Sequence, residues 1–189
     1  MATRPSPPAR DSLFIATMFM VGVAAFVAAF ALKRVQEPFD LGAVVVLAVM
    51  SEALSVRLYF DGRVSISFVG TVVAALLFGL PGGVLAAASI AITGYFVASR
   101  SSRKLTFNFG HEVFAAFLAS AAVSSMGIMG TDHAAQSPGW TIFGGVTAAG
   151  ILFTVDAWSV SAIMALTSGR ALKKAYRENF AWLLPHYLV

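Results

Sequence analysis

From Leu13 to Leu32 the chain runs twenty residues without a charged side chain, and comparable runs recur along its length. A helix rises about 1.5 Å per residue, so about twenty apolar residues cross the roughly 30 Å of hydrocarbon in a bilayer. With 58% hydrophobic residues, 12% charged and a mean hydropathy of +0.81, these 189 residues lack the polar surface that a soluble domain needs. The expected fold class is therefore all-α, a polytopic transmembrane helical bundle.

Six apolar segments can be read in order. The first is Leu13–Leu32. The second opens after Pro38 and Asp40 and continues to about Phe60, with Glu52 and Arg57 inside it and Asp61-Gly62-Arg63 as the following turn. The third, Val64–Gly79, and the fourth, Gly82–Ser99, are separated only by Leu80-Pro81. Residues 64–99 number 36, too many for one crossing and enough for two, so a tight uncharged hairpin near the outer headgroups is expected at Leu80-Pro81-Gly82-Gly83. The fifth runs from Leu105 to Met129, and the sixth from Trp140 to about Thr167 with Asp156 near its centre. Between these last two, the loop from Gly130 to Gly139 carries Asp132 and His133 and is expected to be exposed.

The implied organisation is a disordered cytoplasmic tail over 1–11, a six-helix domain over 12–168, and a basic segment followed by an apolar helix start over 169–189. Arg10 and the run after it lack a convincing cleavage site, so the first segment reads as a retained span and not a signal peptide. Phe180–Val189 is a partial seventh apolar segment, about ten residues long and too short to cross. It either lies along the inner surface or opens the next span of a longer protein.

Eleven of the thirteen basic residues fall in the tail, in two alternate turns and after Thr167, while Lys33 and Arg34 lie on the other side. Positive charge concentrates on the cytoplasmic face, so a bacterial inner-membrane protein with its N-terminus inside is expected. The net charge of +4 flanks apolar segments and forms no patch with stacking aromatics, which points to lipid headgroups and away from nucleic acid. Without cysteine there are no disulfides, iron–sulfur clusters or thiol chemistry. No zinc-protease, phosphate-loop or nucleophile-elbow motif is present, so no catalytic residue is assigned and no enzyme activity is expected. The sequence specifies no cofactor.

Ionisable groups inside hydrocarbon are costly unless paired, and are therefore the leads to function. By depth, Glu52, Arg57, Asn108, His111 and Glu112 share the inner half, and Asn108 shares a helix face with both His111 and Glu112. A polar cluster between the second and fifth segments is expected, acting as a ligand, proton or coupling site or as a structural network that sets helix register. His111 is the group suited to titrate near neutral pH. A metal site from Glu52, His111 and Glu112 is not expected, since adjacent residues on one helix diverge by about 100°. Asp156 stands apart near mid-membrane, with no basic residue at its depth, and is expected to be protonated or hydrogen-bonded to Ser159, Thr71 or Thr93. Small residues four apart (Ala24/Ala28, Gly79/Gly83, Gly94/Ala98, Ala115/Ala119 and Gly145/Ala149) suit close helix packing.

Gly62-Arg63-Val64-Ser65-Ile66-Ser67-Phe68, Leu76-Leu77-Phe78-Gly79 and Lys104-Leu105-Thr106-Phe107-Asn108-Phe109-Gly110 carry a resemblance across roughly residues 40–189. These short, largely apolar motifs resemble the N-terminal integral-membrane domain that precedes output modules in bacterial HD-GYP phosphohydrolases, diguanylate cyclases and some histidine kinases. The resemblance implies a sensory or regulatory unit coupled to a cytosolic output domain or partner, and a homo-oligomer is compatible with it. It transfers no ligand-binding residue and, with no output domain in this sequence, no activity. Two other readings stand beside it: the substrate-binding membrane subunit of a vitamin-type uptake system, and an accessory subunit of a larger membrane complex.

The topology makes a direct prediction. Cysteines introduced by Lys33→Cys and Ser102→Cys react with impermeant reagents from opposite faces of the membrane. Labelling of both from one face in intact cells would contradict it.

Overall fold

A computed structural model describes residues 8–35, 37–57, 63–64, 66–128 and 138–180. Six helices account for nearly all of them: α1 (Pro8–Leu32), α2 (Pro38–Ala53), α3 (Ser67–Gly94), α4 (Ser102–Ser125), α5 (Pro138–Ser168) and α6 (Leu172–Asn179). A two-residue antiparallel pair, β1 (Val56–Arg57) with β2 (Arg63–Val64), stands between α2 and α3. Three stretches are long and apolar enough to cross a membrane: Arg10–Leu32, Ser67–Val97 and Pro138–Ser168.

The middle stretch is folded in two. Gly79 has φ 65° and ψ −145°, a conformation that only glycine adopts without strain. In an unbroken helix Ala74 and Gly82 would stand about 12 Å apart. Instead, a Cβ placed on Gly82 would lie 2.5 Å from the Ala74 carbonyl oxygen. At the far ends, Ser67 and Gly94 both approach the same carboxylate, that of Glu52. α3 is thus a helical hairpin with arms 67–78 and 80–94. Pro81 sits in the first turn of the second arm, where its missing N–H costs nothing. A five-residue π-helical turn, Tyr95–Ser99, extends that arm and closes with the Arg100 amide donating to the Tyr95 carbonyl.

The hairpin expected at Leu80-Pro81 is present, but its tip packs inside the protein. Leu80, Pro81 and Val84 are buried, and Gly83 lies against Ser120 of α4. The arms, at 12 and 15 residues, span only about 18 and 22 Å. α2, at 16 residues, spans about 24 Å. Helix lengths therefore do not establish six full crossings.

Two boundaries also differ from expectation. α1 begins at Pro8, so residues 8–11 are helical and not part of a disordered tail; residues 1–7 lie outside the described residues. α2 ends at Ala53, short of Phe60, and the chain leaves the helix so that Val56–Arg57 can pair with Arg63–Val64; residues 58–62 lie outside the described residues.

α4 lies beside the hairpin at the centre. α1 runs parallel to it: Asp11 pairs with Arg103, Phe14 meets Phe107, and Gly22 and Gly110 bring the two backbones together. α2 packs on α3, α5 on α4 and α3, and α6 on α5. The core between them is small and aliphatic, with Ala29, Ala74, Ala75, Val84, Ala86, Val113, Ala115, Ala116, Ala119, Val123 and Ala148 fully enclosed. The outside is apolar as well: Leu13, Met20 and Val27 on α1 and Ile142 and Val146 on α5 are all more than 60% exposed. Such a surface suits lipid.

Gly22 has no room for a side chain, whereas a Cβ on Gly42 meets nothing within 4 Å. Gly22→Leu is therefore expected to separate α1 from α4 and lower the unfolding midpoint in detergent, an overpacking cost of about 1–3 kcal/mol. Gly42→Leu leaves that midpoint within about 1 °C of wild type, corresponding to less than ~0.5 kcal/mol.

Candidate functional site: a carboxylate-lined cavity

Where the end of α2, both arms of α3, α4 and α5 meet, a cavity of about 130 Å³ is lined by Glu52, Ser67, Thr71, Glu112 and Asp156, with Phe68, Ala87, Ile90 and Leu152 as its apolar walls. Its volume corresponds to about four water molecules at about 30 Å³ each. It lies nine residues along α4 from Arg103, roughly 13 Å from that basic end of the bundle.

Each polar group arrives for a local reason. Glu52 is in the last turn of α2, and the chain leaves the helix within three residues of it. Ser67 opens α3, and its hydroxyl donates to Glu52 Oε2 at 2.8 Å, tying the end of α2 to the start of the hairpin. Thr71 follows one turn later on the same face. His111 and Glu112 are neighbours on α4 and diverge around it. Glu112 turns into the cavity, while His111 is buried with its ring stacked on Phe107 at 4.6 Å.

The His111 ring is anchored at Nδ1 and faces Asp156 with Nε2. Nδ1 lies 2.9 Å from the Phe107 carbonyl oxygen, and a carbonyl only accepts, so Nδ1 carries a hydrogen and donates. Nε2 points across to α5, 3.5 Å from Asp156 Oδ1. That oxygen is sealed from solvent and has no hydrogen-bond partner among the described residues, although 41% of the Asp156 side-chain surface remains accessible. Oδ1 is therefore shut against the imidazole while the rest of the carboxyl opens on the cavity.

Of the residues singled out from sequence, Glu52, His111, Glu112 and Asp156 come together here. Asp156 does not stand apart: His111 is the basic group at its depth, brought there because α4 and α5 cross near their middles. The other partners considered for Asp156 divide. Thr71 lines the same cavity, but Thr93 donates to the Ser89 carbonyl one turn back on its own arm. Asn108 is half-buried one turn before the cavity and does not line it. The Arg57 side chain, Asp132, His133 and His186 lie outside the described residues. No group of three or more His, Asp or Glu among the described residues is arranged to hold a metal ion.

Sequence reasoning missed Ser67 and an aromatic link beside the site. Trp158, two residues beyond Asp156, stacks on Tyr176 of α6 at 5.9 Å, and Tyr176 stacks in turn on Phe180. Gly169, at φ 67°, allows the chain to turn back so that α6 folds against α5. No family model, curated protein or solved structure matches the chain.

Glu112 has no hydrogen-bond partner among the described residues and faces two further carboxylates. Glu112→Gln keeps its shape and cannot ionise, so at a pH where the wild-type carboxyl is charged the unfolding midpoint in detergent is expected to rise by about 2–4 °C, equivalent to about 1 kcal/mol. Ser67→Ala takes a donor from Glu52 and is expected to lower the midpoint by a similar amount, about 1 kcal/mol. Thermal unfolding in one detergent checks both signs.

Proposed function

We propose that this chain is a membrane-embedded sensory or regulatory module. In this reading it sits in a bacterial inner membrane with its N-terminus in the cytoplasm, and it couples a small cue in the carboxylate-lined cavity to a cytosolic partner or output domain. The observation that carries the reading is the position of the cavity at the junction of α2, both arms of α3, α4 and α5. A species that enters or leaves it changes the packing of four elements at once.

A route from the cavity to the basic end also exists on α5. Asp156 faces the cavity, and Trp158 holds α6 through Tyr176. α6 carries Lys173, Lys174 and Arg177 on its exposed side and buries Ala175. A rotation of α5 driven from Asp156 therefore moves a charged helix suited to anionic headgroups or to an acidic partner surface. The cavity volume supports a cue of a few atoms. Pockets for drug-sized ligands measure about 300–1,000 Å³, larger than this cavity.

Hydrogen exchange in lipid nanodiscs tests the coupling. Asp156→Asn is expected to change exchange of the α6 amides several-fold, and Trp158→Ala is expected to abolish that dependence. Unchanged α6 exchange in Asp156→Asn would remove the support for coupling. Retention of a vitamin-sized molecule in native mass spectrometry would favour transport.

A further inference from the structure

The hydrogen-bond inventory of His111 has a consequence for what occupies this site. With Nδ1–H committed to the Phe107 carbonyl, a neutral ring presents at Nε2 a lone pair and no hydrogen. Facing that lone pair at 3.5 Å is Asp156 Oδ1, which in an ionised carboxylate is also acceptor-only. A buried oxygen closed against a second acceptor is left unsatisfied, a cost of about 1–3 kcal/mol for such a group. Oδ1 indeed lacks any hydrogen-bond partner among the described residues. One hydrogen placed between the two atoms satisfies both.

We propose that the His111–Asp156 pair is a proton-binding site, holding one proton between Nε2 and Oδ1 and exchanging it with solvent through the cavity. This rests on the sensory reading above and names its cue. The step is a simple proton transfer: a hydronium ion gives up one O–H proton to the pair and leaves as water, and the net charge of the pair goes from −1 to 0.

The surroundings suit this ligand. Glu52 at the end of α2 and Glu112 on α4 face the same cavity, and Ser67 and Thr71 add hydroxyls from the first arm of α3. Among the described residues no lysine or arginine side chain lines the cavity. On the α1 side of α4, Asp11 is paired with Arg103 at the end of the bundle. A path for exchange exists because Asp156 keeps 41% of its side-chain surface accessible while Oδ1 is closed. Carboxylates and hydroxyls around a volume of about four waters form a wet, acidic vestibule. Uptake of the proton tightens α4 against α5, and its loss leaves two opposed acceptors that push them apart.

The test uses the whole chain, labelled with ¹⁵N-histidine and reconstituted in nanodiscs, with His111 assigned through a His111→Gln sample. Across a pH titration at constant sodium and potassium, the expected result at neutral pH takes one of two forms. Either His111 is a neutral Nδ1–H ring whose Nε2 accepts a strong hydrogen bond, with the infrared carbonyl stretch of a protonated carboxyl, or it is an imidazolium beside an ionised Asp156. Both place one proton in the pair, and both signatures are lost together as pH rises. In Asp156→Asn the histidine signal loses that transition, whereas in Glu52→Gln it keeps it. A neutral His111 beside an ionised Asp156 at neutral pH in the wild-type protein overturns the proposal without any variant having to fold. So does a transition that follows sodium or potassium concentration instead of pH. If the proton is found but α6 exchange ignores Asp156→Asn, the site stands and the sensory reading falls. If the proton is absent and α6 still responds, the reverse holds.

Discussion

The reversal of α3 at Gly79 sets the position of nearly everything else in the bundle. A backbone at φ 65° and ψ −145° is open to glycine and closed to residues with a Cβ, so the chain turns within one residue and returns alongside itself. The return is tight because Gly82 faces Ala74 and Gly83 faces Ala75, with no large side chain to hold the arms apart. For apolar helices in lipid, association is driven by close van der Waals contact between backbones. The same device joins α1 to α4 at Gly22 and Gly110 and seats Gly70 of the first arm on Ala48 of α2.

The doubled element also explains the polar cavity. Because α3 turns back, its two ends lie together, and Ser67 and Gly94 approach Glu52 from opposite arms. α4 and α5 cross at that level and contribute Glu112, His111 and Asp156. Polar side chains from four elements line the space left between these helices. Within a low-dielectric interior such groups are stable only when they satisfy one another, and Asp156 Oδ1, facing His111 without a hydrogen-bond partner among the described residues, is one that does not.

Sequence periodicity identified the right kind of contact more often than the right face. Small residues four apart occur on two adjacent faces of α1: Ala24/Ala28 and Ala25/Ala29. The structure buries the second pair and leaves Ala24 exposed. On α5 the buried pair is likewise Gly144/Ala148, one residue from Gly145/Ala149. Two such faces differ by a rotation of about 100°, and composition is nearly the same on both, so the choice belongs to the neighbouring helix. Ala115/Ala119 was legible because α4 is enclosed on that side by α3.

By itself the sequence determined that this chain is helical and apolar, that it breaks near Leu80-Pro81, and that a few ionisable residues lie deep within apolar runs. Those properties are local: they depend on hydropathy, on proline and glycine, and on counting residues from charged ends. Tertiary structure alone decided that the break is a full reversal with a buried tip and that Ser67 reaches Glu52. It also decided that Asp156 meets His111 and that Trp158 holds α6. Each of these depends on the rotation and crossing of helices whose facing residues are far apart in the chain, and no one-dimensional pattern records such a rotation.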